Sequence, residues 1–147
     1  MSETMRSRIC VDASFMLKLV LPEADSDDAQ SRWESWASSG TEVCAPTLLT
    51  FEATTGIRKA VHRALISEAS GAAALIAYLA LEESILLISP DGLHRRAWEL
   101  AGRYRQPRMY DAYYVALAES LGCTLWTADE RLRRAMPGLA DFIDTGR

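Results

Sequence analysis

Short apolar runs alternate with helical stretches along this chain, and that alternation limits the fold more than any other feature of the sequence. The runs are Arg8-Ile9-Cys10-Val11, Glu42-Val43-Cys44-Ala45, Ile85-Leu86-Leu87-Ile88 and Cys123 to Thr127, with Asp141 to Asp144 as a candidate last strand. Helical patterns fill the intervals: Ala13–Val20, Glu23–Ser38, Thr47 to about Leu65, Ser67–Glu83, Leu93–Tyr104, a helix opening at Asp111, and Glu130–Met136. Strands too short and too apolar to keep one face in water are those of a parallel sheet covered on both sides. The expectation is an α/β fold with a mainly parallel central sheet of about five strands flanked by helices. At 147 residues the chain suits a single domain, 1–147, which at that length buries roughly 70% of its unfolded surface.

Several function classes drop out early. The longest uncharged apolar run, 69–81, ends at Glu82-Glu83, well short of the roughly 20 residues of a membrane span. No apolar signal core follows the charged start, so a cytoplasmic location is expected. Cys10, Cys44 and Cys123 are odd in number and widely spaced, which suits buried small hydrophobes rather than a disulfide framework or a zinc site. The glycines are scattered, and neither a dinucleotide fingerprint nor a P-loop is present. A net charge of −4 reads poorly for a nucleic-acid binder, yet four acids gathered on metal would account for all of it.

In an open parallel sheet the ligand crevice lies beyond the carboxyl ends of the strands, and four acids fall at such places. Asp12 follows the first strand, Glu52 lies on the helix after the second, Asp111 opens a helix, and Asp129 follows the fourth strand. Each also has a structural reading. Asp12 and Ser14 are favoured helix N-caps, and Thr127-Ala128-Asp129-Glu130 has the form of a capping box that would leave Asp129 as a first-turn acid. Glu52 is the single acid between Thr47 and Leu65, and either pairs with Arg58 or Lys59 in solvent or needs a cation against an apolar surface. The pair Trp33 and Trp36 reads as core or partner surface, and His94 as a surface residue.

Val11-Asp12-Ala13-Ser14, Phe51-Glu52-Ala53, Tyr110-Asp111-Ala112-Tyr113-Tyr114-Val115-Ala116-Leu117-Ala118 and Leu125-Trp126-Thr127-Ala128-Asp129-Glu130-Arg131-Leu132 together resemble the PIN-domain nucleases. In length and layout they look most like the VapC-type toxins of bacterial toxin–antitoxin pairs. The resemblance implies an endoribonuclease that uses Mg²⁺, or Mn²⁺ as the alternative, both of which prefer oxygen ligands. It implies Asp12, Glu52 and Asp111 as ligands of the main ion, direct or through water, and Asp129 completing the site or holding a second ion. Ser14 and Thr127 would support the acids, and Lys18, Lys59 and Arg63 would contact RNA phosphates. Expected partners are RNA, such as tRNA or rRNA, a cognate VapB-type antitoxin, and a second copy of the chain in a homodimer. The alternatives are an RNA-processing nuclease outside a toxin–antitoxin pair and a catalytically silent RNA-binding scaffold. A phospho-acceptor receiver needs a second acid beside Asp12, where Ala13 stands, and a D-x-D phosphatase needs an acid where Ser14 stands.

Overall fold

The computed structural model describes residues 7–137 and the backbone of 143–144. Five strands form one sheet: β1 (Arg8–Val11), β2 (Glu42–Ala45), β3 (Ile85–Leu87), β4 (Thr124–Trp126) and β5 (Ile143–Asp144). Every pairing is parallel, and the order across the sheet is β3-β2-β1-β4-β5. The chain therefore builds outward from β1 through β2 to β3, then crosses to the other side of β1 for β4 and β5. That reversal makes the gap beyond the ends of β1 and β4 a topological switch point, where open α/β sheets hold ligands.

Seven helices complete the described residues: α1 (Ala13–Val20), α2 (Ser26–Ser39), α3 (Leu49–His62), α4 (Glu68–Glu82), α5 (Leu93–Arg103), α6 (Tyr110–Leu121) and α7 (Glu130–Ala135). Within this set no helix is long and apolar enough to cross a membrane. Asp25, with φ at 66°, stands immediately before α2, which explains a start at Ser26 rather than at the expected Glu23. The last strand falls within the expected 141–144 segment, of which residues 141 and 142 lie outside the described residues.

Burial follows from the parallel sheet. Cys10, Val11, Cys44, Ala45 and Leu125 are fully inaccessible, as strands covered on both faces must be. Helix α6 packs against β1, β4 and α5. It buries Ala112, Tyr114, Val115, Ala116, Leu117 and Ala118, a wider set than the stripe of Ala112, Val115, Ala118 and Leu121 that its periodicity suggests. Alanines on several sides let a central helix approach its neighbours on more than one face.

Of the tryptophan pair, Trp36 belongs to the core, and Trp33 is partly buried and packs against it. Trp36 is buried, with its ring centroid 5.2 Å from that of Phe15 and 5.9 Å from that of Trp126. Cys10 and Cys44 are buried as small hydrophobes, while Cys123 is partly exposed. The wide sequence spacing concealed one contact: the Cys10 and Cys123 sulfurs lie 3.5 Å apart across β1 and β4.

Candidate active site

The short run of β1 delivers Asp12 to the switch point, where its backbone N–H donates to the Trp126 carbonyl at 3.3 Å and extends the β1–β4 ladder. Asp12 is 5% exposed. Its side chain caps α1, Oδ1 accepting from the Phe15 N–H at 2.9 Å. Ser14 Oγ donates to the same oxygen at 2.7 Å, and Thr127 Oγ1 donates to Oδ2 in a short hydrogen bond. The capping and functional readings of Asp12 thus coexist in one residue. An ionised carboxylate has about four lone-pair positions; three protein donors leave Asp12 about one for a ligand.

Ser14 and Thr127 each have a single hydroxyl proton, and Asp12 takes both. Their oxygens, 3.0 Å apart, turn their acceptor capacity to the backbone after β4. The Ala128 N–H donates to Ser14 Oγ at 3.0 Å, and the Asp129 N–H donates to Thr127 Oγ1 at 3.0 Å. Two hydroxyls therefore tie the loop carrying Asp129 to the carboxylate of Asp12. Burial pushes the Asp12 carboxyl up to about 6, against the lowering effect of its Thr127, Phe15 and Ser14 donors, and the nearby Asp111 charge adds to the rise.

Glu52 projects from the first turn of α3 and, among the described residues, forms no ion pair with either Arg58 or Lys59. Arg58 instead pairs with Glu68 at 2.9 Å. The Glu52 partner is Tyr114, from α6, whose hydroxyl donates to Oε1 at 2.6 Å. Burial raises the Glu52 carboxyl and Asp111 raises it further, while the Tyr114 hydrogen bond and Lys59 lower it. Tyr114 is a supporting residue that the sequence reading passed over; its one signal is its place one turn after Asp111 on α6.

Asp129 is itself the N-cap of α7, which corrects the expectation of a capping box opened by Thr127. Its Oδ1 accepts from the Arg131 N–H at 2.9 Å, and Oδ2 pairs with the Arg131 guanidinium at 2.9 Å. Thr127 remains involved through the Asp129 N–H, but it lies two residues too early to cap the helix.

Asp111 differs from the other three acids. It lies in the first turn of α6, partly buried, and among the described residues no hydrogen bond or ion pair engages it. Burial raises its carboxyl, the Asp129 charge raises it further, and Arg131 lowers it. Asp111 in turn raises Asp12 and Glu52. It is therefore the common neighbour through which the three other acids are electrostatically linked. Among the described residues, no three Asp, Glu, His or Cys side chains are grouped closely enough to hold an ion as they stand. The reason is visible in the donors, since Asp12 turns to its hydroxyls, Glu52 to Tyr114 and Asp129 to Arg131. A partly buried carboxylate without a donor, beside three more acids, is what a hard divalent cation with oxygen ligands would satisfy.

Of the expected phosphate contacts, Lys18 is tied down, donating to the Ala24 carbonyl at 2.8 Å and pairing with Glu23 at 3.4 Å. Lys59 is exposed on α3, close enough to lower Glu52, and Arg63 is exposed at the end of α3. His94 is exposed, with Nδ1 2.8 Å from the Tyr113 hydroxyl.

An acid cluster at the switch point of a five-stranded parallel sheet defines a class, and residues 9–136 match the PIN domain family. The chain belongs to that family. Within it, the chain is a member of the VapC group. It is 36% identical over 124 residues to ribonuclease VapC9 of Mycobacterium tuberculosis, covering 84% of this chain and 87% of that protein. It is 30% identical over 132 residues to ribonuclease VapC3 of Pyrobaculum aerophilum, covering 90% and 97%. The fold matches the crystal structure of PAE2754 from Pyrobaculum aerophilum with a TM-score of 0.63 at 25% identity, over 91% of this chain and 90% of that one. It also matches Mycobacterium tuberculosis VapC20, a sarcin–ricin loop cleaving toxin, with a TM-score of 0.62 at 23% identity, over 86% and 94%.

Proposed function

We propose that this protein is a VapC-type endoribonuclease toxin that hydrolyses RNA phosphodiester bonds with a metal-activated water. The observation that carries the reading is Asp111, a partly buried carboxylate without a protein donor that is coupled electrostatically to Asp12, Glu52 and Asp129. The relatives named ribonucleases at 30–36% identity support the same chemistry. The ion is Mg²⁺, with Mn²⁺ as the alternative. Asp12, Glu52 and Asp111 hold it directly or through water, and Asp129 completes the site. The RNA is tRNA or rRNA, the protein acts in the cytoplasm as a homodimer, and a cognate VapB-type antitoxin neutralises it.

A bound divalent ion supplies a water acidified toward neutrality and stabilises negative charge on the scissile phosphate. The protein's part is placement. Ser14 and Thr127 hold the Asp12 carboxylate in place and, with the Phe15 N–H, leave it about one lone pair for the ion. Tyr114 fixes one oxygen of Glu52 and leaves the other available. Asp111 has no protein donor to surrender on binding. Because water is the nucleophile, the RNA 2′-hydroxyl is not consumed, and the products carry a 3′-hydroxyl and a 5′-phosphate.

The raised carboxyls impose a pH dependence. Metal binding requires their ionised forms, so affinity for the ion weakens as pH falls through about 6, where Asp12 of the metal-free protein takes up its proton. Purified protein incubated with structured RNA tests the reading. Cleavage with Mg²⁺ or Mn²⁺ that stops in chelator is expected; equal cleavage in chelator overturns the metal mechanism, and no cleavage with either ion overturns the nuclease.

A further inference from the structure

A cavity of about 470 Å³ opens between α1, α2 and the end of β4, within the volume range of small-ligand sites. Thr127 and Glu130 line it from either side of Asp129, so it adjoins the candidate active site. None of the chemistry described above uses it.

Its walls are of mixed charge and hold one preset cation. The Trp126 ring is fixed from one side by Trp36, at 5.9 Å between centroids. The Arg32 guanidinium carbon lies 3.9 Å from the Trp126 centroid, a cation–π contact that positions the group without using its N–H donors. Among the described residues Arg32 joins none of the ion pairs. Asp25, immediately before α2, Asp28, one helical turn before Arg32, and Glu130 of α7 bring carboxylates to the same cavity. Lys18 also lines it, but its ammonium is committed to the Ala24 carbonyl and Glu23.

An isolated phosphate is a poor match for this lining, because Asp28 and Glu130 would repel it. A nucleobase with acceptors on one edge and donors on the next is a good one. Guanine has that pattern: O6 and N7 accept a bidentate arginine, and N1–H and N2–H₂ donate to a carboxylate. Adenine reverses the polarity at the exocyclic position and would set its amino group against Arg32. We propose that this cavity is a guanine-selective subsite for an RNA nucleotide flanking the scissile phosphate, with Arg32 reading O6 and N7 and Asp28 or Glu130 reading N1 and N2. Its placement beside the cleaved bond rests on the ribonuclease reading; its base chemistry does not.

The test has two arms. In the first, metal-free protein is titrated with GMP, AMP, CMP and UMP, and the fluorescence change belonging to Trp126 is isolated by comparison with Trp126→Phe. GMP is expected to bind tightest, with its preference over AMP reduced about tenfold or more by Arg32→Ala and not restored by Arg32→Lys, which keeps the charge but loses the planar fork. In the second, matched short RNAs differing by guanosine or adenosine next to the cleaved bond are compared by kcat/KM. The wild type is expected to favour guanosine about tenfold, and Arg32→Ala to cut both at the rate the wild type cuts the adenosine RNA. Equal binding of all four nucleotides, or a guanine preference unchanged in Arg32→Ala, overturns the subsite. Metal-dependent cleavage without guanine preference overturns the subsite and leaves the nuclease standing; selective GMP binding without cleavage under either ion does the reverse.

Discussion

Asp12→Asn is expected to make the metal-free protein more stable at neutral pH while abolishing its activity. The folded state holds the Asp12 proton up to about pH 6, against an ordinary value of 3.8. Between those two values the folded chain binds a proton that the unfolded chain has released, so stability falls as pH rises through that window. The full shift corresponds to a cost of about 3 kcal/mol once Asp12 is ionised. Asparagine cannot ionise, but its amide nitrogen replaces one acceptor oxygen; with the nitrogen at the Oδ2 position, Ser14 and Phe15 keep the oxygen they already share and Thr127 must reverse its hydroxyl. A hydrogen bond weakened in that way costs about 1 kcal/mol, leaving a net gain of roughly 1–2 kcal/mol at pH 7. Urea unfolding in chelator from pH 4 to pH 8 reads this directly. Wild-type stability should decline through pH 4–6, and the Asp12→Asn curve should be flatter and lie above it at pH 7. An Asp12→Asn protein less stable than wild type at pH 7 in chelator would show that burial strain at Asp12 has been misjudged.

Other substitutions probe the supports around the acids and the packing beneath them. Thr127→Val removes the donor to Asp12 Oδ2 and the acceptor for the Asp129 N–H, and should cost about 1–3 kcal/mol in urea unfolding. Tyr114→Phe leaves Glu52 without its donor; the Mn²⁺ concentration for half-maximal cleavage should rise about tenfold or more, with the far-ultraviolet circular dichroism unchanged. Two glycines separate propensity from packing: a Cβ on Gly71 would overlap Val61 Cγ2, whereas one on Gly102 meets nothing within 4 Å. Gly71→Ala should therefore destabilise by about 1–3 kcal/mol, and Gly102→Ala, near the end of α5, should stabilise by up to about 1 kcal/mol, both read from urea midpoints.

Much of the fold is legible because a parallel sheet leaves a local mark. Runs such as Ile9-Cys10-Val11 are apolar on both faces, and Gly122, with φ at 63°, stops α6 where a glycine should. The acids were legible for the same reason, as each stands at a strand end or in the first turn of a helix. Their partners were not, because partnership is made across the fold. Glu52 has Arg58 and Lys59 nearby in sequence, yet it bonds to Tyr114, 62 positions away. Cys10 and Cys123 are separated by 113 positions and come together only because β4 lies beside β1. The cap of α7 was misread locally: Thr127 and Asp129 are both good caps, and it is Asp129 that accepts from the Arg131 N–H, while the Thr127 hydroxyl serves Asp12, 115 positions away. Arg32 carries no signal in sequence at all, since only the fold sets it over Trp126.

The central claim is that Asp111 is the acid around which a divalent ion assembles. Calorimetric titration of Mn²⁺ into wild type and Asp111→Asn, with RNA cleavage measured on the same preparations, addresses it directly. The account predicts that the wild type binds Mn²⁺ and cleaves, and that Asp111→Asn, folded to the same degree, loses both together. Undiminished Mn²⁺ binding and cleavage by Asp111→Asn would contradict it.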